Sequence, residues 1–149
     1  MPTNMYGPND NYNLETSHVL PALVRKFHEA KRDQKLIVNV WGDGTPQREF
    51  LHVDDCAKAC LFLMNNYNES GIINIGTGVD VTIKELALII KKIIGFKGKI
   101  NFDSTKPNGT PRKLLDVSKI NNMGWTHSIF LEQGISQLYS HVKMKLDQI

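Results

Sequence analysis

The sequence predicts an α/β domain in which short strands alternate with amphipathic helices. Three observations carry that prediction. Apolar residues recur at helical spacing over residues 20–27, 83–94 and 131–142. Short apolar or β-branched runs at 36–41, 50–53, 72–75 and 99–103 are bounded by Gly, Pro, Asn or Asp. The two kinds of segment alternate along the chain instead of segregating, which is the order of α/β folds.

Length and composition set the bounds. The chain has 149 residues, of which 41% are apolar and 22% charged, ordinary for one globular domain with a sizeable core. No apolar run approaches the roughly 20 residues of a membrane span. The first residues lack the form of a secretory signal, so a cytoplasmic protein is expected, with no membrane partner. A formal charge of +3 without any basic block suits an anionic small molecule and argues against nucleic acid. Cys56 and Cys60 stand four apart at helical spacing, with no second Cys or His pair to complete a metal site. They are expected to be small buried apolar residues, and no metal is expected.

The chain begins with Pro2-Thr3-Asn4-Met5-Tyr6-Gly7-Pro8, a strand-end and turn signature that looks like the interior of a domain. Thr16 or Ser17 is the expected N-cap of the first helix, with Leu20, Leu23, Val24 and Phe27 on its buried face and Pro21 harmless in its first turn. His18 stands at the start of that helix, where the positive end of the helix dipole favours a neutral imidazole able to accept a proton. By itself such a histidine is more often a capping or surface group. A charged connection, residues 31–35, leads to the strand at 36–41. Gly42, Gly44 and Pro46 then make a tight turn, and an extended segment follows at 50–53.

Asp54 or Asp55 is the expected N-cap of the second helix, which carries Cys56, Ala59, Cys60, Leu63 and Tyr67 and ends near residues 65–66. Residues 68–71 form a turn and 72–75 a short strand. Gly76-Thr77-Gly78 has Val81 where a dinucleotide fingerprint needs a third glycine, and no P-loop lysine follows, so it is expected to be a structural link. Thr82 and Glu85 form a capping box. The helix they open buries Ile83, Leu86, Ala87, Ile90 and Ile94 and stops at Gly95. An edge strand at 99–103, a polar loop at 104–111, a short helix from Ser118 and a last helix over 131–142 complete the chain. There is no internal repeat or linker.

Two stretches carry side chains suited to binding. Trp41 and Arg48 lie at opposite ends of the glycine turn. A flat apolar ring can stack on a base, and a planar fork of donors can grip phosphate. Composition alone reads Trp41 as core and Arg48 as solvated. Lys106, Arg112 and Lys113 border a second glycine-containing turn, whose default reading is a solvated loop.

As whole strings, these stretches resemble the extended short-chain dehydrogenase/reductases that act on nucleotide sugars, and within them the GDP-L-fucose synthases. The pattern W-G-x-G-x-x-x-R-x-F-x-x-V-x-D runs from Trp41 to Asp55, and Pro2 to Pro8, Ser17 to Leu23 and Lys106 to Lys113 match further segments. The resemblance extends from Pro2 to about Tyr139. It implies that residues 1–149 are the C-terminal substrate-binding part of such an enzyme plus the last elements of its Rossmann domain, with the N-terminal cofactor-binding half absent.

The resemblance further implies that Pro2, Thr3, Asn4 and Met5 lie against the nicotinamide end of NADP(H), together with His18, which is the acid/base of epimerisation. Lys26, Trp41, Arg48, Asn108 and Lys113 are implied contacts of a GDP-sugar. The implied reaction is 3,5-epimerisation and then NADPH-dependent 4-reduction of GDP-4-keto-6-deoxy-D-mannose to GDP-L-fucose. The sequence departs from the family pattern at several points. Lys26 replaces an arginine and Asn108 an aspartate. The Gly-rich loop, the Tyr-x-x-x-Lys pair, its serine and the partner cysteine are missing; only Tyr139 has a lysine four residues on, outside the matching context. The chain alone is therefore expected to bind NADPH poorly and to need an N-terminal half in trans, with a homodimer among the assemblies the resemblance allows. A non-catalytic GDP-sugar binding module and a non-functional remnant are the alternatives.

Overall fold

A computed structural model describes all 149 residues. Its elements are β1 (Asn4–Tyr6), α1 (Val19–Arg32), β2 (Ile37–Trp41), β3 (Gln47–His52), α2 (Val53–Asn66), β4 (Asp80–Thr82), α3 (Ile83–Ile94), β5 (Lys99–Asp103), β6 (Arg112–Lys113), α4 (Ser118–Asn122) and α5 (Leu131–Leu146). The alternation expected of an α/β domain is present. β3 is the hub. β1 runs parallel to its second half, with Asn4 opposite Phe50 and Tyr6 opposite His52. β4 runs antiparallel to its first half, and β6 pairs with the same half in parallel. β2 and β5 form a separate two-stranded parallel sheet.

Because strand side chains alternate between faces, β3 supplies both cores. Phe50 enters the larger cluster, built from Leu20, Leu23, Val24 and Phe27 of α1, Leu86, Ile90 and Ile94 of α3, and Ile135, Leu138, Val142 and Leu146 of α5. Leu51 points the other way, to Ala59, Ile75, Val117, Ile120 and Trp125. The expected face of α3 is buried in full, its capping box is closed by Thr82 and Glu85, and Gly95 ends it in the left-handed region at φ 76.

Several boundaries differ from expectation. The N-cap of α1 is His18, not Thr16 or Ser17. Asn13 O already accepts from both Thr16 N and Ser17 N, and Asn11 Nδ2 donates to the Thr16 hydroxyl, so a separate turn consumes those groups. The N-cap of α2 is His52, whose Nδ1 accepts from Asp54 N at 3.2 Å, rather than Asp54 or Asp55. Residues 72–75 are not a strand. Pro2 and Ile75 form an isolated bridge, with Ile75 N donating to Met1 O and Thr3 N to Ile75 O. Nor are both cysteines buried: α2 buries Asp55 and Ala59, leaving Cys56 half-buried and Cys60 exposed. No helix is long and apolar enough to cross a membrane.

Candidate functional site

β2 presents Val38 and Val40 to the core and Ile37, Asn39 and Trp41 outward. Trp41 is consequently 63% exposed, and the composition-based reading of it as core does not hold. Gly42 turns the chain at φ 81, and a Cβ there would come within 2.4 Å of Asn108 Oδ1. That close approach lets Asn108 Oδ1 accept from Asp43 N at 2.8 Å. Asn108 thus spends its acceptor on holding the two loops together. The Asp43 carboxylate accepts from Thr45 N and Oγ1, which holds it below the usual carboxylate range. Two ammonium groups flank the Trp41 ring, with Lys26 Nζ 5.5 Å and Lys106 Nζ 5.8 Å from its centroid. Partial burial holds the Lys26 ammonium below the usual lysine range.

Arg48 lies directly opposite Lys113 in the β3–β6 pairing. Cross-strand partners share a face, so two cations stand side by side. Arg48 Nη1 donates to Gln47 O at 2.7 Å. Neither Arg48 nor Lys113 ion-pairs with a carboxylate of the chain, and the same is true of Lys26 and Lys106. Arg112 behaves differently. Its Nε and Nη2 donate to both oxygens of Asp80, at 2.6 and 3.2 Å, which ties β6 to β4.

Lys26, Trp41, Arg48 and Asn108 line one hollow of about 290 Å³, with Leu14 and Glu15 also on its wall. Four of the five predicted substrate contacts therefore converge. Lys113 is outside that lining and joins it only through Arg48. An adjoining cleft of about 270 Å³ shares Arg48 and is otherwise mostly apolar, with Phe50, Val81 and Phe130 on its wall. An aromatic face, flanking ammonium groups and an unpaired guanidinium suit a flat base followed by a diphosphate.

Thr3, Asn4, Met5 and His18 line a second hollow, of about 450 Å³. Pro2 is not among its lining residues; it bridges Ile75. The start of α1 divides the two hollows, since Ser17 and Val19 line the first and His18 the second. Asn4 Nδ2 donates to Glu49 O at 2.9 Å, so its amide locks β1 to β3. The N–H groups of Thr77 and Gly78, in the glycine turn after residue 75, are taken by the Glu49 carboxylate.

Sequence reasoning missed the two buried carboxylates, Glu49 and Asp55. Asp55 accepts from Ser128 N, Ser128 Oγ and Ile129 N at 2.7–2.8 Å, which fixes one wall of the apolar cleft. An acid at a core-facing position of an apolar strand, as Glu49 is beside Phe50 and Leu51, was the available signal.

The sequence pattern of the NAD dependent epimerase/dehydratase family matches residues 1–76. GDP-L-fucose synthase 1 of Arabidopsis thaliana is 58% identical over 139 residues, 93% of this chain and 43% of that protein. GDP-L-fucose synthase of Escherichia coli is 52% identical over 93% of this chain and 46% of its own length. The crystal structure of a GDP-L-fucose synthetase from Naegleria fowleri bound to NADP superposes with a TM-score of 0.91 at 30% identity, over 98% of this chain and 46% of that one. The chain spans less than half the length of these relatives.

Proposed function

This chain belongs to the NAD dependent epimerase/dehydratase family, and on that footing we propose that it is the nucleotide-sugar-holding portion of a GDP-L-fucose synthase. The observation that carries the reading is the convergence of Trp41, Lys26 and Arg48 on one hollow, with Lys113 paired opposite Arg48 and none of these three cations salt-bridged to a carboxylate of the chain. In this reading the guanine stacks on Trp41, and the diphosphate lies across Arg48 and Lys113. The sugar then extends past the start of α1 toward His18.

His18 is the group that moves a proton at the carbons beside the 4-keto group, which are acidic enough for a neutral imidazole. Thr3, Asn4 and Met5 border the place of the nicotinamide end of NADP(H), whose chemistry is hydride donation to C4. Turnover requires a Gly-rich loop and a Tyr-x-x-x-Lys pair from an N-terminal half, so the chain alone is inactive and meets that half in trans or within a longer protein. A cytoplasmic site of action goes with this reading. A GDP-sugar binding module without turnover is the second reading, favoured by Lys26, Trp41, Arg48 and Asn108 lining one hollow.

Calorimetric titration of the 149-residue chain with GDP, beside Arg48→Ala, tests the proposal. Saturable binding that the variant loses is the expected result. A folded, monodisperse wild-type chain that gives no heat with GDP would overturn it. Restored turnover on adding an N-terminal half would separate the enzyme reading from the binding-module one.

A further inference from the structure

Glu49 is fully buried and forms no ion pair. Backbone N–H groups hold its carboxyl group, with the Thr77 hydroxyl 3.4 Å from Oε1. Oε1 accepts from Thr77 N at 2.6 Å and Gly78 N at 2.7 Å, and Oε2 accepts from Leu115 N at 3.1 Å. The fit is close: a Cβ on Gly76 would lie 2.3 Å from Oε1. One carboxylate thereby joins three separate stretches, β3, the 76–78 turn and the segment just after β6.

β6 is only two residues long, too short to hold its register by ladder bonds alone. It is secured on one side by Gln47 N donating to Pro111 O at 2.8 Å and by the Arg112–Asp80 pair. Beyond Lys113, Leu115 N donates to Glu49, and the Leu115 side chain packs against the cluster that includes Leu51 of β3. Adjacent residues of a strand point to opposite faces, so Arg48 is offered to the hollow while Glu49 reaches back through the sheet. Bringing Lys113 against Arg48 is electrostatically unfavourable without a ligand, and something must hold the two together in its absence.

We propose that Glu49 is a positioning residue that holds Lys113 in register beside Arg48 and so preforms the diphosphate clamp. The inference rests on the nucleotide reading above.

Glu49→Gln tests it in the full chain. Glutamine keeps one carbonyl oxygen, enough for Thr77 and Gly78, but turns an NH₂ toward the Leu115 N–H, donor against donor. Hydrogen exchange at residues 112–115 is expected to accelerate by at least about tenfold while residues 77–78 stay protected, roughly the loss of one hydrogen bond to a charged group. The preference for GDP over guanosine is expected to fall on the order of tenfold with guanosine affinity unchanged; a merely structural loss would lower both ligands together. Unchanged exchange at Leu115, or an intact GDP preference, would overturn the proposal. A wild-type chain that binds GDP no better than guanosine would sink the nucleotide reading and the clamp with it, whereas a wild-type preference that survives in the variant sinks only the role of Glu49. If Glu49→Gln does not fold, Leu115→Pro removes the single N–H given to Oε2 and must reproduce the loss of GDP preference.

Discussion

Arg48 and Lys113 are direct cross-strand partners in a two-residue parallel pairing, with their side chains on the same face of the sheet. Like charges so placed destabilise a sheet unless an anion lies between them. Asp80 is the nearest acid on the neighbouring strand, and it is spent on Arg112. In the proposed nucleotide reading a diphosphate lies between Arg48 and Lys113, and the two cations are energetically coupled.

That coupling is measurable. Arg48→Ala and Lys113→Ala are each expected to weaken GDP binding by about 1.5–3 kcal/mol, the range of hydrogen bonds to charged groups. The double variant should lose less than the sum, because the two cations grip one ligand. In the absence of ligand, Lys113→Ala should be no less stable than wild type, since it relieves a repulsion. Strict additivity in a calorimetric double-mutant cycle would mean that the pair does not act together.

Trp41→Ala is expected to cost about 1–3 kcal/mol of affinity for GDP, the scale of a base stacked on an aromatic ring. Its effect on the urea midpoint should be small, because the ring is largely solvent-exposed. A large loss of stability with unchanged affinity would instead make Trp41 a packing residue.

The Asp55 carboxylate is pushed up by burial but pulled down further by donors from Ser128 and Ile129, so it is held below the usual carboxylate range. A depressed folded pKa contributes stability that is present above the unfolded value, about 3.9, and is lost as pH falls through the lower folded value. The stability gap between wild type and Asp55→Asn should be constant above about pH 5 and shrink below about pH 4. Urea midpoints followed across pH check this; a gap that persists to the lowest pH at which both fold would exclude the linkage.

Gly134 sits in α5 where a Cβ would come within 2.1 Å of the Tyr6 hydroxyl, a buried group without a hydrogen-bond partner. Gly134→Ala is expected to destabilise by roughly 1–3 kcal/mol through overpacking, despite the better helix propensity of alanine. Pairing it with Tyr6→Phe should recover part of that loss, as removal of the hydroxyl oxygen opens the space. An alanine variant as stable as wild type in thermal melts would show that α5 can shift to make room.

Much of the fold was legible from residues whose structure closes locally. The capping box of Thr82 and Glu85, the buried stripe of α3 and the stop at Gly95 all depend on neighbours within a few positions. Family strings also singled out Lys26, Trp41, Arg48 and Asn108, which the fold brings to one hollow. The misread segments were those whose outcome depends on a distant partner. Residues 72–75 have strand composition but only one bridge to sit on, while the short Asp80-Val81-Thr82 segment becomes β4 because β3 offers it an edge.

What the sequence by itself determined is the inventory: an alternating α/β chain, its amphipathic faces, its turn glycines, and the aromatic and cationic groups proposed to hold a nucleotide. The tertiary structure alone decided that Lys113 stands beside Arg48, that Asn108 braces the Gly42 turn, and that Glu49 spends its charge on the N–H groups of Thr77, Gly78 and Leu115. The physical reason is range. Helical periods and caps are set by bonds between near neighbours, whereas a buried carboxylate finds its donors, and two like charges are made to meet, only once long-range pairing has closed the sheet.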